Sequence, residues 1–242
     1  MTLRIAMWSG PRNISTALMR SWENRPDCSV VDEPFYAAYL ADTGLEHPCR
    51  KEILLTQSTD YGKVIEELTK TPVATELQYQ KQMTHHIPRG MAMSWCADFR
   101  HCFLIRDPAQ VIASYARKMP EVNEDAIGIR RQAELFDQIA ELCGETPLVI
   151  DSNDVLKNPE KVLGELCQRL GVAFHRDAML NWPTGRRGSD GVWASHWYHN
   201  VEQSTGFGQY TEREAKLEAN HRELAERMLP FYRQLAQLRI LP

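Results

Sequence analysis

The chain has 242 residues, a formal net charge of −4 and 25% charged side chains, a length that suits one α/β domain over residues 1–242 with a substantial core. A pI near 6.1 excludes the global basic field of a nucleic-acid binder, so any anion site has to be local. No apolar stretch is long enough to span a membrane, and Met1 to Trp8 is too short and too abruptly followed by polar residues for a signal peptide. The six cysteines form no CxxC pair. Reduced, mostly buried thiols in a soluble cytoplasmic protein are expected.

In chain order, Leu3 to Trp8 is a short apolar run of strand length and Ser9 to Asn13 is a turn-rich loop. From Ile14 onward the spacing Ile14, Ala17, Leu18, Trp22 is helical. A helix that starts straight after a strand points unpaired N–H groups and the positive end of its dipole above the sheet, and Ser15 and Thr16 add hydroxyl donors. The fitting guest is a phosphate or sulfate oxyanion; the plain alternative is an ordinary strand-to-helix turn. Counted from Gly10, the GxxxxGK[ST] pattern fails, because the lysine that grips a triphosphate is missing. Ile14 is β-branched and ill suited to positive φ, so a strained loop is not expected.

Cys28 to Val31 predicts a second strand, running into Asp32-Glu33-Pro34-Phe35. The proline pushes Glu33 out of the helical region, which sets the carboxylates at a strand end or on the loop beyond it. Ligands of open α/β sheets bind along that edge, which favours Glu33 as a site residue; the plain alternative is a pair of solvated loop acids. Tyr36 to Leu40 is weakly helical, His47 to Lys51 reads as a polar turn, and Tyr61 to Lys70 as an amphipathic helix. Val73 to Leu77 is the next expected strand, with Gln80 to Pro88 as the loop after it. His85 and His86 in that loop suit proton abstraction near neutral pH or a satisfied loop pair; no ligand set for a metal completes around them.

His101 to Lys118 carries a second clear pattern. Cys102 to Ile105 reads as a buried strand, Asp107 as an N-cap, Pro108 as the first helical residue, and Val111, Ile112 and Tyr115 as an apolar face. Arg106 then stands at a strand tip and Ser114 in the second helical turn. A guanidinium grips two phosphate oxygens at once and a hydroxyl can donate to a third. A helix is expected from Asp125 to Leu142, a strand from Pro147 to Ile150, and a helix through Val162 and Leu170 stopped by Gly171. Pro183 to Phe207 is a Gly-rich basic loop with Arg186-Arg187-Gly188, suited to a lid, in which Trp193, Trp197 and Tyr198 are too costly to leave exposed. Arg213 to Leu238 predicts an amphipathic terminal helix broken at Pro230. Alternating strands and helices imply a three-layer α/β fold with a mostly parallel central sheet.

These elements, in this order, resemble the sulfotransferases that use 3′-phosphoadenosine 5′-phosphosulfate (PAPS). Gly10, Pro11, Arg12, Asn13, Ile14, Ser15 and Thr16 resemble the family's P-loop-like 5′-phosphosulfate loop, with Ile14 departing from its usual glycine. Arg106 and Ser114 match the 3′-phosphate motif, strand-Arg-(x7)-Ser. Arg186, Arg187 and Gly188, followed by Gly191 and Trp193, resemble the lid that folds over the nucleotide. The resemblance implies Glu33, or failing it His86 or its neighbour His85, as the base for an acceptor hydroxyl or amine, and Arg12 as the cation at the departing oxygen. It implies a small-molecule acceptor, no metal and no nucleic acid, and leaves the oligomeric state open. The alternatives are a non-catalytic nucleotide-binding relative and a P-loop kinase or nucleotide hydrolase.

Overall fold

The computed structural model describes residues 2–119, 121–212 and 215–242. Its strands are β1 (Leu3–Ser9), β2 (Cys28–Asp32), β3 (Leu77–Met83), β4 (Arg100–Ile105) and β5 (Leu148–Asp151). The helices of the first half are α1 (Ser15–Glu23), α2 (Tyr36–Thr43), α3 (Arg50–Thr56), α4 (Tyr61–Lys70) and α5 (Pro108–Tyr115). Those of the second half are α6 (Glu124–Ile127), α7 (Ile129–Cys143), α8 (Ser152–Lys157), α9 (Pro159–Leu170), α10 (Arg176–Leu180), α11 (Ala194–Trp197), α12 (His199–Glu202) and α13 (Ala219–Ala236).

The sheet is all parallel in the order β2-β3-β1-β4-β5. Strand alternation sends Ile5 and Met7 to one face, where they join Leu18, Met19 and Trp22 of α1 and Leu163 and Leu166 of α9. Ala6 and Trp8 face the other way, toward Val64 and Leu68 of α4 and Phe136 and Ile139 of α7. Both faces are therefore dry, and three layers follow from the two-residue period of the strands. From β1 the chain winds one way to β2 and β3, then crosses to β4 on the other side. The crevice at the carboxyl ends of β1 and β4 is thus a topological switch point, where open α/β sheets bind ligands. The register pairs Ser9 with both Met83 and Leu104, which brings the ends of β1, β3 and β4 to one level.

Several expectations are corrected. The third strand is Leu77–Met83, later than Val73 to Leu77, so Gln80, Lys81 and Gln82 lie inside the sheet and are buried. The two glutamines bond along the strand, Gln82 Nε2 donating to Gln80 Oε1 at 3.0 Å and Gln80 Nε2 to Gln78 Oε1 at 2.9 Å. The polar turn expected at His47 to Lys51 gives way to α3 from Arg50. The helix expected over Asp125 to Leu142 is split at Gly128 (φ 64°), where a Cβ would press to 3.1 Å against His85 and Thr84. The terminal helix runs through Pro230 without ending, and its expected start at Arg213 lies outside the described residues.

Candidate active site

The loop read as a phosphate loop, from Gly10 to Ile14, begins where β1 ends. Gly10 must be small: a Cβ there would lie 2.9 Å from the Ile127 carbonyl. Asn13 is buried and donates Nδ2 to the Leu104 carbonyl at 3.0 Å, tying the loop to the tip of β4. The expectation of an unstrained turn at Ile14 is overturned. Arg12 (φ 62°) and Ile14 (φ 63°) both adopt the left-handed conformation, which costs a residue with a Cβ about 1–2 kcal/mol. Two left-handed residues flanking Asn13 fold the chain tightly enough to start α1 at Ser15, and the partly buried Ile14 packs against the core. The first turn of α1 has no acidic residue, so its N-terminus keeps the positive potential that favours an anion.

Arg106 stands at the tip of β4 as expected, with Asp107 capping α5 by accepting from the amides of Ala109 and Gln110 and Pro108 in the first turn. Arg106 Nη1 donates to the Arg12 carbonyl at 2.5 Å, and Arg12 Nε donates to Ser114 Oγ at 3.1 Å. The three residues named from two distant motifs are in direct contact. Burial, and then neighbouring guanidinium charge, lowers Arg12 and Arg106 from the ordinary arginine value. Both still carry full charge, and no carboxylate pairs with either among the described residues, so the cluster has a net positive charge.

A cavity of about 680 Å³ opens here. Pro11, Arg12, Asn13, Ile14, Ser15, Thr16, Arg106, Ser114, Arg117 and Lys118 line it, together with Glu33, Tyr36, His47, Lys81, Met83, His85 and His86. Trp197 and Tyr198 from the 183–207 segment are also part of its wall. Trp193 and Tyr198 are buried as expected of costly aromatics, and the Arg12 guanidinium lies 5.9 Å over the Trp197 ring.

Glu33 sits just past β2 with φ 45°. Its Oε1 accepts from Lys81 Nζ at 2.6 Å; the same ammonium donates to Asp32 Oδ1 at 3.0 Å and to the Tyr198 hydroxyl at 2.5 Å. Asp32 and Lys81 are register partners on adjacent strands, so the pleat puts them side by side. Burial drives the Glu33 carboxyl above its ordinary value, with Lys81 opposing and Asp32 adding to the rise. Burial also works against the Lys81 ammonium, but Asp32 and Glu33 outweigh it and hold lysine well above its usual range. Asp32 further accepts from the Tyr198 hydroxyl at 2.8 Å and from the Gly191 amide at 3.3 Å, binding the 183–207 segment to the sheet edge.

His86 is sandwiched between Tyr36 and Tyr39, with ring centroids at 4.6 and 4.7 Å. Burial and the adjacent His85 push it well below the ordinary histidine value, and His85 falls to about 3, again mainly through burial. Both rings are therefore neutral, and the buried Nδ1 of each has no partner among the described residues.

Arg186, Arg187 and Gly188 are not brought to the cavity. Arg187 lies near Glu23 (4.0 Å) and donates Nη2 to the Pro183 carbonyl at 2.6 Å; Arg186 faces Glu202 at 3.5 Å. Glu23 ends α1, about 12 Å along the helix axis from the phosphate loop. The lid is fastened there by Arg20, which meets both Asp190 oxygens at 2.6 and 2.7 Å.

Sequence reasoning missed Lys81, Arg117 and Lys118. The signal for Lys81 was a lone lysine in a run that could be a strand, directly opposite an acid pair in the strand before it. Arg117 and Lys118 follow Ser114 at helical spacing.

Residues 3–238 match the family described as Sulfotransferase domain. The chain belongs to that family. Two Arabidopsis thaliana proteins, branched-chain-amino-acid aminotransferase-like proteins 2 and 1, are 31% and 32% identical over 228 residues, covering 94% of this chain. The chain spans 40% of the length of these curated relatives. Among solved structures, the sulfotransferase domain from the curacin biosynthetic pathway superposes with a TM-score of 0.53 at 16% identity, over 100% of this chain and 99% of that one. A mouse sulfotransferase complexed with PAP gives 0.55 at 11% identity, over 97% and 88%. These likenesses establish the sulfotransferase fold, with its mostly parallel sheet between helices. Among the described residues no helix is long and apolar enough to cross a membrane.

Proposed function

We propose that the chain is a sulfotransferase that moves the sulfuryl group of PAPS to a hydroxyl or amine of a small-molecule acceptor. The observation that carries this reading is the meeting of Arg12, Arg106 and Ser114, from two distant motifs, in the wall of a cavity that a buried carboxylate, Glu33, also lines. Amides of the loop and of the α1 N-terminus, with Ser15 and Thr16, receive the phosphosulfate; Arg106 and Ser114 receive the 3′-phosphate. Arginines and amide dipoles supply the positive potential, so the transfer itself draws on no metal.

Glu33 takes the acceptor proton as the acceptor oxygen or nitrogen forms its bond to sulfur. The bond from sulfur to the bridging oxygen breaks, and the negative charge left on 3′,5′-adenosine bisphosphate is met by Arg12. Glu33 is favoured over His86 because burial makes the carboxylate more basic than usual and the imidazole much less basic than usual. Neutral His85 and His86, with Tyr36, then shape the acceptor end.

The test is thermal stabilisation by 3′,5′-adenosine bisphosphate, 5′-AMP and magnesium-ATP. The bisphosphate is expected to raise the melting temperature most; preference for magnesium-ATP would replace this reading by a kinase or hydrolase. Slow release of sulfate from PAPS that persists unchanged in Glu33→Gln combined with His86→Ala would count against a base at either place.

A further inference from the structure

The 3′-phosphate of the donor carries two negative charges, and the arginines expected to close over it from the lid are engaged elsewhere. Arg187 is held near Glu23 and by the Pro183 carbonyl, and Arg186 faces Glu202. For Arg187 to reach the phosphate loop, the lid would have to leave its anchor on α1, the buried Arg20–Asp190 pair.

The cavity supplies other cations in their stead. Arg117 follows Ser114 by three residues and Lys118 by four, the spacing that stacks side chains on one helical face. Past the end of α5 the backbone continues as a turn, with the Ala116 amide bonded to the Ile112 carbonyl at 2.9 Å, the Lys118 amide to the Tyr115 carbonyl at 2.9 Å and the Met119 amide to the same carbonyl at 3.0 Å. Arg117 Nε donates to the Ala113 carbonyl at 3.1 Å, which fixes the plane of its guanidinium. Both residues line the cavity and are exposed to solvent. The Arg117 charge is close enough to oppose those of Arg12 and Arg106. Among the described residues, neither Arg117 nor Lys118 has a carboxylate within ion-pair distance. Positive charges gathered without an acid repel one another in the empty protein, and a bound dianion relieves that repulsion.

We propose that Arg117, with Lys118 beside it, is the third arm of the grip on the donor's 3′-phosphate, in the place for which Arg186 and Arg187 are out of reach. This rests on the PAPS reading above and adds to it the residues that select a 3′-phosphorylated nucleotide. Ser114 at the base of the helical face and Arg117 one turn later would hold the phosphate from one side, with Arg106 on the other.

The test compares calorimetric affinities for 3′,5′-adenosine bisphosphate and 5′-AMP, which differ only in the 3′-phosphate, in three proteins. These are the unaltered chain, Arg117→Ala combined with Lys118→Ala, and Arg186→Ala combined with Arg187→Ala. Preference for the bisphosphate is expected to fall about tenfold or more in the first pair, with the 5′-AMP affinity little changed, and to stay intact in the second. The proposal is overturned if the preference survives loss of Arg117 and Lys118, if it falls with Arg186 and Arg187 instead, or if both nucleotides weaken equally in the first pair. An unaltered protein that shows no preference for the bisphosphate removes the donor reading itself, and this proposal with it.

Discussion

Lys81 donates to Glu33 across 2.6 Å in a place where both side chains are buried. The contact sets the charge of the proposed base. Burial raises the Glu33 carboxyl, and Lys81 is what restrains that rise. Removing the ammonium in Lys81→Met therefore raises the carboxyl further, so that the base is protonated over more of the working pH range. The acid limb of kcat/KM is expected to move to higher pH, with activity at pH 7 reduced about tenfold or more for each unit of movement past neutrality. Lys81→Arg, which keeps the charge, should leave the limb nearer its original position. An acid limb unmoved by Lys81→Met would mean that Glu33 is not the group read by the pH profile. The substitution also strips a buried carboxylate pair of its counter-charge, so a stability loss of about 3–5 kcal/mol is expected alongside.

The left-handed backbone at Ile14 reverses an ordinary ranking. In a relaxed site alanine is more stable than glycine, because glycine loses more freedom on folding. Here Ile14→Ala keeps the strain of φ 63° and loses the packing of the side chain, whereas Ile14→Gly loses the packing and relieves the strain. Chemical denaturation is expected to find the glycine variant more stable than the alanine variant by about 1 kcal/mol. The opposite order would show that this loop relaxes without penalty.

Much of the site was readable because its chemistry sits in local patterns. Asp107-Pro108 announces the start of α5, and with it the positions of Arg106 and Ser114; Gly171 ends α9 as a left-handed cap. What escaped were features decided by tertiary neighbours. Lys81 looks like a loop residue until Asp32 of β2 and Tyr198 supply its partners, and Gln80 and Gln82 until they are seen bonding along β3 itself. Ile14 looks incompatible with positive φ until Asn13 is pinned to β4 and the core receives the isoleucine. Arg187 looks like a phosphate ligand until Glu23 is seen beside it. In each case the residue type fixed what the group could do, and the fold decided which partner it met.

Acid sensitivity should appear well above the usual carboxylate range. His101 is buried, accepts from Trp8 Nε1 at Nδ1 across 3.0 Å, and so donates Nε2 to the Cys96 carbonyl at 3.0 Å as the neutral tautomer. Burial lowers its pKa to about 4, and that of His85 to about 3. The unfolded chain binds protons at these histidines below about pH 6.5 while the folded chain does not. Their contribution is thus present above that pH and is lost as pH falls through the window down to the folded values. Each such histidine adds a slope of about 1.4 kcal/mol per pH unit there. The melting temperature is expected to drop between pH 7 and pH 5, and less steeply in His101→Gln. Equal slopes for the two proteins would assign the loss to other groups.

The lid is held to α1 by a buried charge pair: Arg20 meets both Asp190 oxygens at 2.6 and 2.7 Å, with each side chain 1% exposed. Asp190 also accepts from the Arg187 amide at 2.8 Å, so one carboxylate organises the whole turn. Asp190→Ala leaves Arg20 with only Glu23, at 3.1 Å, as its acid partner. Breaking one side of such a pair costs about 3–5 kcal/mol. Because the segment from 183 to 207 has little regular structure of its own, that cost should fall on the lid before the sheet. Amide exchange is expected to quicken over residues 187–198 while β1 and β4 stay protected, and the KM for the donor to rise as Trp197 and Tyr198 lose their fixed positions. Replacing both partners by apolar residues, Arg20→Met with Asp190→Leu, removes the stranded charge and should recover much of the stability. The Arg187 amide would still lack its acceptor, so lid exchange should remain faster than in the unaltered chain. Exchange that quickens uniformly across the sheet in Asp190→Ala would instead make the pair part of the global core, and the lid no more than a passenger on it.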